Sequence, residues 1–327
     1  MIKIGVLGAG HLGKIHIRLL KSIPAFHLVG FFDIDPQTSE QVSSEFGVKA
    51  FDSMDQLIEV VDALDIVVPT VNHFECALKA INQGKHLFIE KPISHTLEES
   101  EILVSQISST PLIGQVGHVE RFNPAFLALE DKQLNPMFIE GHRLAQYNPR
   151  GTDVSVVLDL MIHDLDILLS LIKEPVKHLS ASGVAVVSDS PDIANARIEF
   201  ENGAVANLTA SRISMKNMRK LRLFQKDAYH SVDFLKKKAE SYQMTNLPQE
   251  GVAFPPIPVE KNGEVRYLQI DQPHISEINA IKMELEEFAQ AIEGKRKVRV
   301  SLKAGHQALE LAHKILDEID LRKSLMA

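Results

Sequence analysis

The chain opens with MIKIGVLGAGHLGKIHIRLLKSI, residues 1–23, and how this stretch divides decides the fold. IKIGVLG is a short apolar run of strand type, and HLGKIHIRLLKSI reads as a helix. Between them GAGHLG sets Gly8, Gly10 and Gly13 in the G-x-G-x-x-G spacing. Glycines are common in turns, so the spacing alone decides little. Its context decides more, because a second strand-like run, HLVGFFD, ends in Asp33, 20 residues beyond Gly13. In a dinucleotide-binding βαβ unit Gly8 permits the tight turn, Gly10 lets backbone approach a pyrophosphate, and Gly13 lets helix pack close to strand. The helix N-terminus, with His11 and Leu12, then offers free N–H groups to the anion. Asp33 is placed to accept hydrogen bonds from the adenosine ribose and to repel a 2′-phosphate, which predicts NAD over NADP. The alternative is a glycine turn in a flavodoxin-like domain that holds no nucleotide.

Outward from this turn, DALDIVVPT, KHLFIEK and PLIGQVG continue the strand-like series, with helical patterns such as HFECALKAINQG between them. Such alternation predicts a doubly wound parallel α/β sheet over residues 1–120. From FIEGHRLAQ onward strand-like runs follow one another directly, and Asn202-Gly203 suits a tight hairpin turn. Residues 121–327 are therefore expected to form an α+β domain with a largely antiparallel open sheet. Residues 247–263, with four prolines and two glycines, read as a long loop or irregular edge. Helices are expected at about 275–293 and 302–323, and they are free to pack back on the first domain.

The chain has 327 residues, 45% of them hydrophobic, which is enough for two domains with ample cores. Cys76 is the single cysteine, so no internal disulfide and no cysteine cluster for zinc is available. That fits a reducing compartment. No basic, apolar leader starts the sequence and no uninterrupted apolar run reaches the length of a membrane span, so a soluble cytoplasmic protein without membrane contact is expected. A formal charge of −8 argues against nucleic-acid binding, and GKRKVR at 294–299 reads as a solvated turn.

In doubly wound sheets ligands lie beyond the carboxyl ends of the strands. Thr70 ends DALDIVVPT with His73 just beyond it, and Glu90 and Lys91 close KHLFIEK, so all four are candidates for the same crevice. His73 serves equally well as a helix-start residue touching backbone. Lys91, between a buried run and a proline, has little freedom to reach solvent and is a candidate site cation.

A second concentration of chemistry is VVLDLMIHDLDILLSLI, residues 156–172. On a helix of about 100° per residue, Asp159, His163, Asp166 and Ser170 form one polar line through an otherwise apolar surface. Charge removed from water needs a partner, a wet cleft or a ligand. Asp159 and His163, one turn apart, can reach into one cleft. An internal ion pair and a metal site are the rival readings, and the second lacks a third ligand motif, so no metal is assigned. Asp164 lies off the line and reads as structural or solvated. Asp166 reads as a supporting or domain-contact residue.

GAGHLG, VVPTVNHFECALKAINQGKHLFIEKP, DLMIHDLDIL and the closing HISEINAIKMELEEFAQAIEGKRKVRVSLKAGHQALELAHKIL together resemble the glucose-fructose oxidoreductase and inositol dehydrogenase family, Gfo/Idh/MocA, over nearly the whole chain. The resemblance implies a homo-oligomer formed through the open sheet. It also implies a catalytic set of Lys91 from E-K-P with Asp159 and His163 from D-x-x-x-H, and often a cis Lys-Pro bond, here Lys91-Pro92. His163 would take the hydroxyl proton as hydride leaves for NAD, Lys91 would hydrogen-bond the reacting oxygen, and Asp159 would bind the imidazole or the substrate hydroxyls.

GHVERFNPA (117–125) and NPRGTDVSVVLDLMIHDLD (148–166) look most like a branch of the family that oxidises the 3-hydroxyl of UDP-N-acetylglucosamine, whose keto product feeds lipid A synthesis. That likeness puts Arg121, Asn123 and Arg150 nearest the substrate or nicotinamide. Arg212, Lys216, Arg219 and Lys220 are further cations for an anionic nucleotide sugar, or else exposed strand charges. Two other readings stand beside this one: a dehydrogenase of an unphosphorylated sugar or inositol, and a nicotinamide-binding sensor without turnover.

Overall fold

The computed structural model describes residues 1–148, 154–248 and 254–326. The chain forms two compact units, Met1–Phe122 with Ile278–Glu310, and Asn123–Glu277 with Leu311–Ala327. The division read from the sequence at residue 120 lies two residues from the first break, while the returning segment 278–310 belongs to the first unit.

The first unit runs β1 (Ile2–Leu7), α1 (His11–Leu20), β2 (Phe26–Phe32), α2 (Pro36–Phe46), α3 (Met54–Val60), β3 (Ala63–Ile66), α4 (His73–Asn82), β4 (His86–Glu90), α5 (Leu97–Ser108) and β5 (Gly114–Gly117). All strand pairs are parallel, in the order β2-β1-β3-β4-β5. A single parallel bridge, Phe31 to Ala50, adds a one-residue stub outside β2. With that stub the sheet follows the dinucleotide-binding order, in which the direction of winding reverses between β1 and β3. The strands are largely apolar because helices cover both faces, and β3 and β5 are buried throughout, Asp65 and Gln115 included.

The second unit continues with α6 (Pro124–Leu127), β6 (Phe138–Leu144), α7 (Ile162–Leu171), β7 (Val176–Val184), β8 (Ile193–Phe200), β9 (Val205–Ser211), β10 (Met218–Gln225), β11 (Ala228–Asp233), β12 (Lys238–Thr245), β13 (Ile257–Lys261) and β14 (Glu264–Asp271). They form a nine-stranded sheet, antiparallel except where β6 lies parallel to β9. The burial of β6 alternates residue by residue, as expected of a sheet with one covered face. Its inward side packs with α7 through Ile139, Ala196, Ala206, Leu165 and Leu168. Gly203, at φ +82°, makes the β8–β9 turn that Asn202-Gly203 predicts.

The chain closes with α8 (Ala280–Ile292) and α9 (Leu302–Met326). The first was expected from about residue 275, but Asn279 ends the extended lead-in by accepting the Lys282 N–H at 3.1 Å, which makes it the N-cap. GKRKVR is not a free solvated turn. Arg296 and Arg299 both grip the buried Glu287 of α8, at 2.5 Å and at 2.8 and 2.9 Å. Among the described residues no helix is long and apolar enough to cross a membrane.

Candidate active site

The glycine turn builds the first half of the site. Gly8 has φ +93°, which side chains rarely adopt, and a β-carbon there would lie 2.7 Å from the Val67 carbonyl oxygen. Gly13 touches the turn from the helix side. Around a β-carbon at Gly10, by contrast, nothing stands within 4 Å. That open space is what a pyrophosphate needs, and α1 begins there without a side-chain cap and without an acidic residue in its first turn. Gly8, Gly10, His11, Leu12 and Asp33 line a cavity of about 670 Å³ together with Ile34, Thr38, Met54, Pro69, Asn72, Glu75 and Cys76. The residues present fit NAD.

Asp33 stands at the end of β2. Its Oδ2 accepts the Ala9 N–H at 2.7 Å and its Oδ1 the Asp35 N–H at 2.9 Å. A carboxylate has about four lone-pair sites, so two remain for ribose hydroxyls. Burial pushes the Cys76 thiol up to about 11, which makes it a wall of the cavity rather than a nucleophile.

Thr70, His73, Glu90 and Lys91 do not line this cavity. Thr70 opens a short 3-10 turn, Thr70–Asn72, before α4. His73 is buried, with Nδ1 2.8 Å from the Pro92 carbonyl and Nε2 2.9 Å from the Val68 carbonyl. Of its two readings the geometry supports backbone contact rather than cofactor contact. Burial holds its pKa below the ordinary imidazole value, although both carbonyls oppose that shift. The Lys91-Pro92 peptide is cis, the isomer that the resemblance implied. Glu90 Oε2 accepts the Lys91 backbone N–H at 3.2 Å.

The second unit carries Asp159 and His163, and here the structure corrects the sequence reading. Val157–Met161 is a π turn, and α7 begins only at Ile162. The uniform 100° helix wheel does not cross that junction, because the π turn inserts i→i+5 bonding, a feature frequent at functional sites. Both side chains are half-buried. Ser155 starts the segment, its hydroxyl accepting the Leu158 N–H at 3.2 Å.

The helix is held by a pair that sequence reading missed. Arg143 points inward from β6 and binds Asp164 with two hydrogen bonds, Nε to Oδ2 at 3.1 Å and Nη2 to Oδ1 at 2.7 Å. Both residues are buried, so Asp164 is structural and not solvated. It fixes the residue next to His163. The only signal in the sequence was an arginine at an inward position of an alternating strand.

Other expectations divide. Arg121 sits in a 3-10 turn, Val119–Phe122, and reaches the Arg299 carbonyl at 3.5 Å. Asn123 makes local contacts. It caps α6 by accepting the Ala125 N–H and donates to the Phe234 carbonyl at 3.1 Å. Arg212 is buried against the Val154 carbonyl, and Lys220 lies 3.5 Å from Asp233, while Lys216 and Arg219 are exposed. Arg150 lies outside the described residues. Among the described residues no three His, Cys, Asp or Glu side chains gather as a metal site.

Residues 2–118 match the family of oxidoreductases with an NAD-binding Rossmann fold, and residues 114–226 match the GFO/IDH/MocA C-terminal domain. The chain is 36% identical over 312 residues, 95% of each chain, to UDP-N-acetylglucosamine 3-dehydrogenase of Acidithiobacillus ferrooxidans. It is 32% identical over 234 residues, 65% of this chain and 68% of the relative, to scyllo-inositol 2-dehydrogenase (NAD(+)) of Bacillus subtilis. A solved structure of the Acidithiobacillus enzyme superposes with a TM-score of 0.87 over 98% of both chains. Scyllo-inositol dehydrogenase of Lactobacillus casei, at 21% identity and a TM-score of 0.77 over 98% of both chains, shares the fold. The cradle around Gly10, the parallel sheet and these matches along the chain lead to one conclusion: it is an NAD-dependent dehydrogenase of the Gfo/Idh/MocA family, acting on CH–OH groups.

Proposed function

We propose that the chain oxidises the 3-hydroxyl of UDP-N-acetylglucosamine, with Lys91, Asp159 and His163 as its catalytic residues. The observation that carries the substrate is the 36% identity along 95% of both chains to an enzyme of that name, against a match to the inositol enzyme over 65% of this chain. NAD, when bound, supplies the hydride acceptor. His163 takes the hydroxyl proton as the carbon–hydrogen bond breaks, a contribution of about 10²- to 10⁴-fold in rate. Asp159 orients the imidazole or holds the neighbouring hydroxyls, and Lys91 donates to the oxygen on which negative charge develops. Arg121 and Arg150 are the cations assigned to the substrate. The 3-keto product would serve diamino-sugar synthesis for lipid A.

The exposed face of the second unit's sheet, where Phe224, Tyr229 and Tyr242 stack and Glu140 pairs Arg222, is the surface we assign to homo-oligomer formation. The test of function is direct. The protein is incubated with NAD, a carbonyl trap and a panel of nucleotide sugars, sugars and inositols, and reduced nicotinamide is followed by absorbance. UDP-N-acetylglucosamine is expected to give the highest kcat/KM, and a preference for inositol would overturn the substrate assignment.

A further inference from the structure

Behind the Glu90–Lys91–Pro92 turn lies a set of buried ionisable groups that the reaction above does not use. His16 of α1, Asp65 of β3 and Glu284 of α8 are fully buried, and Glu90 is nearly so, with 12% of its side chain exposed. Asp65, His16 and Glu90 form a chain that ends on the Lys91 peptide. Asp65 Oδ2 is 2.9 Å from His16 Nδ1, and His16 Nε2 is 3.3 Å from Glu90 Oε1, an ion-pair distance off the line of a good hydrogen bond. Glu90 Oε2 then accepts the Lys91 N–H. The other flank of the same turn is fixed by His73 on the Pro92 carbonyl.

Both ring nitrogens of His16 face carboxyl groups, Nδ1 hydrogen-bonded to Asp65 and Nε2 at ion-pair distance from Glu90, surroundings that favour imidazolium. Burial opposes that charge, but Asp65 and then Glu90 outweigh it and hold the His16 pKa well above its ordinary value. Glu284 is the opposite case. Neither of its carboxyl oxygens is hydrogen-bonded, and burial, reinforced by Glu90 and Asp65 against the pull of His16, pushes its pKa well above the usual carboxylate range. A buried ion pair is often replaceable by apolar packing at no loss of stability, so stability alone is a poor reason for this arrangement.

We propose that His16 is a positioning residue of the oxidation: bridging Asp65 to Glu90, it holds the Glu90 carboxylate against the Lys91 peptide and so fixes the stem of the Lys91 ammonium. The inference rests on the assignment of Lys91 to the reaction. Its direction along the ring is specific. The Nε2 edge, toward Glu90, matters for turnover, and the Nδ1 edge, toward Asp65, orients the ring.

Glutamine at this position can reproduce a donor near Nε2, and asparagine one near Nδ1. The experiment compares His16→Gln and His16→Asn for kcat, for KM, for NADH affinity by fluorescence and for imidazole nitrogen NMR of the wild type. Histidine-selective spectra at about pH 8 are expected to show His16 with both nitrogens protonated. His16→Asn is expected to lower kcat by about 10- to 100-fold at unchanged NADH affinity, and His16→Gln to restore most of it. Equal losses in the two variants, a loss following Gln instead of Asn, or a neutral ring in the spectra would overturn the proposal. Lys91→Met separates the two layers. Undiminished turnover in that variant would remove the assignment of Lys91, and the proposal with it, while leaving the NMR state of His16 as found; full loss in Lys91→Met with no effect in His16→Asn would remove the proposal alone.

Discussion

Gly13 faces the carbonyl oxygen of Gly8 so closely that a β-carbon at residue 13 would lie 2.1 Å from that oxygen. Backbone on both sides leaves nothing flexible to give way. Gly13→Ala is therefore expected to separate α1 from the glycine turn and to abolish NAD binding, measured by NADH fluorescence titration. Gly10→Ala meets no protein atom within 4 Å, so it should leave the fold intact and weaken the dinucleotide alone. Equal thermal stability for wild type and Gly13→Ala would contradict the close packing.

Asp33 is expected to set the choice between dinucleotides. Its carboxylate is anchored by the Ala9 and Asp35 N–H groups and cannot swing away from a 2′-phosphate without releasing both. A competition titration should show NAD bound at least about tenfold more tightly than NADP, and Asp33→Ser should narrow the gap. Tighter binding of NADP by the wild type would defeat this reading.

The buried Arg143–Asp164 pair predicts a loss of stability when either partner is removed. Removing either partner leaves the other charge buried, a cost of about 3 to 5 kcal/mol. Arg143→Met or Asp164→Asn should each lower the urea midpoint, whereas a double variant with apolar residues at both positions should recover much of the loss. If the double variant were the sum of the singles, the pair would not be a coupled one.

The raised pKa of Glu284 predicts a pH dependence. A carboxyl whose folded pKa is raised contributes stability that is complete below the unfolded value, 4.5, and lost as pH rises through the folded one. Glu284→Gln removes that proton uptake. The stability of the variant relative to wild type is therefore expected to increase as pH rises from about 5 to 9, measured by urea unfolding. A constant difference would show that Glu284 is ionised in the folded chain.

Much of the first unit was legible because its signals are local. Strand, glycine turn, helix and Asp33 lie within one βαβ segment, so spacing alone carries them into three dimensions. The cavity walls from Met54, Glu75 and Cys76 were not legible, since α3 and α4 bring them in from far along the chain. The line of polar residues through 159–170 was read from a uniform helical period that the π turn at Val157–Met161 interrupts, and that turn was not legible, because an inserted backbone turn leaves no mark on residue type. Arg143 and Asp164 are 21 residues apart and Glu287 and Arg299 are 12 apart, and only packing pairs them. The capping role of Asn123, by contrast, was legible, since it stands directly before Pro124, a helix-start signature.

The central claim is that Lys91 and His163 serve one oxidation of a nucleotide sugar. It is tested most directly by the initial rate of NADH formation from UDP-N-acetylglucosamine, with a carbonyl trap present, in wild type, Lys91→Met and His163→Ala. Turnover in the wild type with a loss of about 10²-fold or more in each variant, at unchanged NADH affinity, is the predicted result. Wild-type rates in either variant would contradict it.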